Sequence, residues 1–221
     1  SDLSPYAGGL LWGEIFSEAG LPEGVLNIVT HAPGEAGPIA DEFTENPLVR
    51  VINFTGSTET GRKLAEAAGR NLKRVVLELG GYNPLIVLAD ADLDYAVDAT
   101  AFGAFFHQGQ ICMSARRIIV EEPIADSFVE RLVEKTRALK SGDPKKHDTV
   151  IGPLITEAAV EKVKSRVDDA VAKGARVLAG GEAEGPVYQA TLLADVPEDS
   201  DFAREETFGP VAAIEVVGSV E

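Results

Sequence analysis

Cysteine, methionine and tryptophan each occur once in the 221 residues, and histidine only three times. A single thiol excludes an internal disulfide and cannot build a cysteine-based zinc site, so no metal is expected. Basic residues are scarce as well: 20 lysines and arginines face 36 aspartates and glutamates, a formal net charge of -16. A surface that negative repels phosphate backbones and anionic lipid, which argues against nucleic acid and membranes as partners. No apolar run approaches the roughly 20 residues of a spanning helix. No basic stretch followed by an apolar core marks a secretory leader. A lone thiol suits a reducing cytoplasm, the expected location. The chain opens on Ser1 rather than Met, which reads as an N-terminus already removed.

What is present is ordinary for a globular chain, 45% hydrophobic and 25% charged, and long enough for one large domain or two small ones. Helical and strand patterns alternate, which predicts an α/β architecture with mainly parallel pairing. Helices are expected at Ala7–Ala19, from a Ser57 or Thr58 cap to about Gly69, at Ile124–Leu139 and at Thr156–Lys173. Asp92 caps a further helix whose Leu93, Ala96, Val97, Thr100, Ala101, Ala104 and Phe105 have the spacing of one buried face. Strands are expected at Val25–Val29, Arg50–Phe54, Val75–Leu79, Leu85–Ala89, Arg117–Val120, Arg176–Ala179, Gln189–Ala194 and Val211–Val217. The double glycine Gly80-Gly81 breaks two apolar runs and marks the expected boundary.

Four segments carry chemistry. Phe54-Thr55-Gly56-Ser57-Thr58-Glu59-Thr60-Gly61-Arg62 joins a strand to a helix, where free N–H groups and the helix dipole favour an anion. Gly56 and Gly61 have the glycine spacing of a P-loop. Arg62 and Lys63 stand where that motif needs Lys and then Ser or Thr, so the triphosphatase reading is set aside. In Leu77-Glu78-Leu79-Gly80-Gly81 the Glu78 carboxylate has apolar neighbours, and a desolvated carboxylate suits a general base. An edge glutamate facing solvent is the plain alternative.

In Phe106-His107-Gln108-Gly109-Gln110-Ile111-Cys112-Met113-Ser114 a glycine-containing loop follows a helix. Such a loop can expose a thiol and offer its backbone N–H beside it, as acyl chemistry requires. His107 raises a Cys–His dyad, against the plainer reading of a surface histidine. Glu205-Glu206-Thr207-Phe208-Gly209-Pro210 on spacing alone is an acidic turn before a strand.

Taken in this order, the four segments resemble the aldehyde dehydrogenase superfamily: its nucleotide turn, its catalytic glutamate motif, its cysteine motif and its late glutamate-phenylalanine motif. Ala19–Val25 and Ile151-Gly152-Pro153-Leu154 are lesser matches, and the resemblance covers essentially the whole chain. It implies parts of two Rossmann-like parallel-sheet domains. Residues 1–80 would be the C-terminal part of an NAD-binding domain, and 81–221 a catalytic domain truncated at its C-terminal end.

The implied activity is oxidation of an aldehyde to its acid with NAD, NADP being the alternative, through a thiohemiacetal and a thioester on Cys112. Glu78 would activate the hydrolytic water. Gly56, Ser57 and Gly61 would hold the pyrophosphate, Glu206 the nicotinamide ribose and Phe208 the nicotinamide. The Cys112 N–H would supply half of an oxyanion hole.

The stretch Phe102–Ser114 is similar to the branch acting on benzaldehyde, salicylaldehyde or vanillin, and implies a pocket using Phe105, Ile111 and Met113. Family members are much longer, and their asparagine of the oxyanion hole and lysine of the adenosine ribose precede this chain. Asp2 takes the place of an acidic residue that favours NAD, and Tyr82 stands where many relatives have Lys. Two readings remain: a working enzyme, expected as a homo-oligomer that buries its strand edges, or a fragment that keeps the fold and binds nucleotide or a partner chain without turning over.

Overall fold

The computed structural model describes residues 6–32 and 34–219; Ser1 and Asp2, and with them the reading of Asp2 as a cofactor determinant, lie outside the described residues. The chain divides into two compact units, 1–80 and 81–221.

In the first unit, α1 (Tyr6–Glu18) and α2 (Gly37–Glu45) precede β1 (Val51–Thr55), α3 (Thr58–Arg70) and β2 (Arg74–Glu78). The two strands pair in parallel, with Thr55 level with Glu78. The crossover through α3 is what parallel pairing demands. Ser57 starts that helix by accepting from the Thr60 N–H, and Ala68 is fully buried beneath it. The strand expected at Val25–Val29 is absent. Those residues form turns and irregular chain, and Val25 and Val29 are exposed. An apolar run becomes a strand only where another strand accepts its backbone hydrogen bonds, and among the described residues none does here.

The second unit contains β3 (Pro84–Val87), α4 (Leu93–Phe105), β4 (Arg117–Glu121), α5 (Glu122–Ala138), α6 (Glu157–Ala172), β5 (Arg176–Ala179), β6 (Ala183–Glu184), β7 (Val187–Tyr188), β8 (Thr191–Ala194), α7 (Asp201–Arg204) and β9 (Val211–Val217). Its main sheet has the order β3-β4-β9-β8-β5. All neighbours run parallel except β5, which is antiparallel to β8. Successive residues of the central strands feed opposite faces. Leu192, Ala212 and Ile214 join Val97, Phe105, Phe128 and Leu132 from α4 and α5. Leu193, Val211 and Ala213 join Val160, Val163 and Val167 from α6. A parallel sheet buried on both sides needs such uninterrupted apolar strands.

Asp92 caps its helix as the sequence predicts, accepting from Tyr95 N–H, and Thr156 does the same for α6, accepting from Ala159 N–H. The helix α2, the small hairpin β6-β7 and the single turn α7 were not anticipated. No helix among the described residues is long and apolar enough to cross a membrane.

Candidate active site

The first unit places Gly56, Ser57 and Glu78 together at the C-terminal ends of its two parallel strands. The Gly56 N–H donates to the Glu78 carbonyl at 3.0 Å, so the turn after β1 is fastened to the end of β2. A Cβ at Gly56 would lie 2.5 Å from Phe54 Cζ, and one at Gly61 would lie 2.5 Å from Leu79 Cδ2. Both glycines thus let a neighbouring side chain, Phe54 or Leu79, pack directly on the backbone, and a larger residue would have to displace it. The turn stands at the position where parallel α/β sheets hold ligands. The Glu78 side chain is exposed, which corrects the expected desolvation: β2 is short and its partners at this level are backbone, not an apolar wall.

In the second unit, three segments enter adjacent parallel strands from one edge: Asn83 before β3, Cys112–Arg116 before β4, and Glu206–Pro210 before β9. Helix α4 ends at Phe105, and His107, Gln108 and Gly109 follow with φ of 54°, 56° and 64°. This left-handed turn reverses the chain and delivers Cys112 with its side chain exposed. The loop is pinned from several sides. Asn83 Nδ2 donates to the carbonyls of Cys112 and Ser114, and Gln110 Oε1 accepts from Ile155 N–H at 2.9 Å. A Cβ on Gly109 would meet the Gly209 carbonyl oxygen at 2.0 Å, so the cysteine loop and the Glu206 loop touch backbone to backbone. Among the described residues nothing accepts the Cys112 N–H, which leaves it available to an oxyanion.

Arg116 is the group that sequence reasoning missed. Its side chain is 1% exposed, and it donates to the carbonyls of Thr207 at 2.7 Å, Gly109 at 3.2 Å and Ile111 at 3.2 Å. Its Nη1 lies 3.4 Å from Glu206 Oε1, and its guanidinium carbon is 5.5 Å from the Phe208 ring centre. Burial pulls its pKa below the ordinary arginine value, while the charges of Glu206, Tyr82 and Cys112 push the other way. Alternation along β4 was the available signal: Arg116 has the parity of the buried Ile118 and Val120. A second buried arginine, Arg166 of α6, donates to the Glu206 carbonyl and pairs with the Glu205 carboxylate. Glu206 Oε1 is buried yet has no hydrogen-bond donor, and Phe208 is half exposed.

One expectation needs revision. Phe105 is 1% exposed inside the core and offers no surface to a substrate, because the helical face that buries Ala101 and Ala104 carries it inward. Phe102 and Phe106, four residues apart on the outer face, stack at 4.8 Å between ring centres and are exposed. They join the exposed Met113 and partly buried Ile111 as the apolar groups available around the cysteine loop. His107 is exposed, and among the described residues no hydrogen bond links it to Cys112. No cluster of three or more His, Cys, Asp or Glu suited to a metal occurs among the described residues.

An accessible thiol with its peptide clamped and the Glu206–Pro210 loop thus enter adjacent parallel strands of one sheet in an α/β fold. The aldehyde dehydrogenase family model matches residues 1–221, and the chain belongs to that family. It is 49% identical over 214 residues to vanillin dehydrogenase of Pseudomonas fluorescens, covering 97% of this chain and 44% of that protein. It is 45% identical over 214 residues to the NAD(+) benzaldehyde dehydrogenase of Pseudomonas putida, covering 97% and 43%. The crystal structure of salicylaldehyde dehydrogenase from Pseudomonas putida G7 complexed with salicylaldehyde superposes with a TM-score of 0.92 at 46% identity, covering 96% of this chain and 44% of that one. The chain thus spans less than half the length of the curated relatives it matches.

Proposed function

We propose that the protein oxidises an aromatic aldehyde to the carboxylic acid with NAD, NADP being the alternative, through covalent catalysis at Cys112. The observation that supports this reading is the entry into adjacent parallel strands of an exposed, backbone-clamped thiol and of the Glu206–Phe208 loop, which touch backbone to backbone at Gly109 and Gly209. The residues fit a dinucleotide. Gly56 lies in the turn at the strand ends that suits the pyrophosphate, with Ser57 and Gly61. The Glu206 side chain keeps part of its surface exposed while Oε1 is buried beside Arg116. Its outer carboxylate oxygen thus has lone pairs for ribose hydroxyls, and Phe208 offers an exposed ring to the nicotinamide. On this reading residues 1–80 hold the cofactor and 81–221 carry the chemistry.

Cys112 attacks the aldehyde carbon, forming a thiohemiacetal whose oxyanion accepts from the Cys112 N–H. When bound, the nicotinamide supplies the acceptor for the hydride that leaves this carbon. The acyl group then stands on Cys112 as a thioester. Glu78, exposed and therefore open to solvent, takes a proton from the water that attacks the thioester carbonyl, releasing acid and thiol. Phe102, Phe106, Ile111 and Met113 supply apolar surface suited to a flat ring.

The decisive assay is NADH formation with benzaldehyde, salicylaldehyde and an aliphatic semialdehyde. Preference for the aromatic substrates supports the reading, and equal or reversed preference removes its substrate clause. The coverage of less than half of each relative favours one second reading: these residues alone keep the fold and bind nucleotide or a partner chain without turnover. NADH binding without NADH formation supports that alternative. The exposed Leu11, Trp12 and Ile15 of α1 support self-association into a homo-oligomer, to be read by light scattering. The lone thiol supports a reducing, cytoplasmic setting.

A further inference from the structure

Arg116 has a role that packing alone does not account for. Its guanidinium engages main-chain carbonyls from two loops: Gly109 and Ile111 on one side of it, Thr207 on the other. A weaker contact at 3.5 Å reaches the Gly81 carbonyl. The bonded carbonyls alternate with the functional side chains. Ile111 precedes Cys112, whose side chain is exposed. Thr207 lies between Glu206 and Phe208, which both also face the guanidinium, Glu206 Oε1 at 3.4 Å and the Phe208 ring centre at 5.5 Å.

The arginine main chain is anchored apart from either loop. Its N–H donates to the Asn83 carbonyl at 3.3 Å and its own carbonyl accepts from Ala213 N–H at 2.8 Å. The close approach of Gly109 to the Gly209 carbonyl brings the same two loops together independently of any side chain. Five donors in a rigid plane can serve both loops at once, whereas a lysine ammonium presents three donors from a point and cannot span them.

We infer that Arg116 is a positioning residue that couples the Glu206–Phe208 loop to the Cys112 loop, so that occupancy of one sets the reactivity of the other. This rests on the proposed function for what occupies the Glu206 loop. The coupling itself lies entirely within the second unit and involves no group outside it.

The test uses the protein as encoded, with Arg116→Met and the milder Arg116→Lys, which keeps the charge and most of the volume. The first readout is the rate at which iodoacetamide alkylates Cys112, with and without saturating NAD. In the parent, NAD changes that rate. In Arg116→Lys the change shrinks on the order of tenfold, as expected when charge-assisted hydrogen bonds to one loop are lost, and in Arg116→Met it vanishes. The second readout is the split between KM for NAD and kcat, measured per reactive thiol so that misfolded protein does not count. Both parameters worsen in Arg116→Lys, because both loops lose their register.

A parent whose alkylation ignores NAD overturns the inference. So does an Arg116→Lys variant with the parental response and parental KM. Should the alkylation response behave as stated while no aldehyde is oxidised, the proposed function fails and the coupling stands. Aldehyde oxidation with an unaltered response in both variants fails the coupling alone.

Discussion

Because the Cys112 side chain is exposed, truncating it removes little packing and separates chemistry from stability. Cys112→Ala is expected to abolish aldehyde oxidation while leaving the melting temperature and NADH affinity nearly unchanged, which a thermal melt and a binding titration on the same sample check. Glu78→Gln is expected to give one burst of NADH and then stall, with the acyl group visible on Cys112 by intact-protein mass spectrometry. A parental steady-state rate in that variant would assign the base elsewhere.

Cys112 was legible in the sequence because it is the only thiol and follows a glycine turn. Glu206 was legible only through the resemblance, since an acidic turn before a strand has no chemistry of its own. Arg116 was hidden by a sound prior, that arginine is solvated, which fails where backbone carbonyls supply the partners. Phe105 answered to two signals, the buried helical face and nearness to the loop. Packing obeyed the first.

At the scale of elements, the connection between α4 and β4 carries the strongest constraint. Gly109 combines a φ of 64° with a neighbouring carbonyl that leaves no room for a Cβ. Gly109→Ala is therefore expected to destabilise the second unit by more than about 2 kcal/mol. Urea unfolding checks this, as a lowered midpoint at unchanged slope. Substitution at the exposed Met113 should move the midpoint by less than about 0.5 kcal/mol equivalent.

Elements with a cap and a periodic face, α3, α4 and α6, could be placed from sequence within a residue or two. Strands with a clear apolar run, β1, β4, β5 and β9, were placed as closely, and what failed were runs and short pieces whose pairing partner the sequence does not show. Val25–Val29 has strand composition but nothing to pair with. The antiparallel direction of β5, though not its position, and the hairpin β6-β7 depend on turns whose geometry the residues alone leave open. The direction from which three loops enter the sheet, which builds the site, is a property of strand order and was invisible in any one segment.

At the scale of the whole molecule, buried tyrosine contributes to the acid-base response at high pH. Burial, with a smaller push from the Asp168 charge, raises the Tyr188 hydroxyl from 10.0 to about 12. In the unfolded chain that proton leaves near the ordinary value, and in the folded chain it stays. Between pH about 10 and about 12 the folded state therefore binds more protons, and stability falls as pH rises, by up to roughly 2.7 kcal/mol for a shift of this size. Below that window the contribution is fully present. Denaturation midpoints measured from pH about 9 to about 12 should fall in this sense, and Tyr188→Phe should flatten the curve. Tyr82, also raised to about 12 by burial, leaves a residual slope in that variant.

The exposed, solitary Cys112 also fixes how the protein meets oxidants. Peroxide converts an accessible thiolate to a sulfenic acid, and in many proteins a neighbouring thiol closes a disulfide that rescues it. This chain holds no second thiol, so rescue must come from outside. A small thiol such as glutathione would condense with the sulfenic acid, releasing water, and a second thiol would then restore Cys112. Brief peroxide exposure followed by glutathione should return the lost alkylation of Cys112. Prolonged exposure should not, because further oxidation to the sulfinic acid lies beyond reach of thiols.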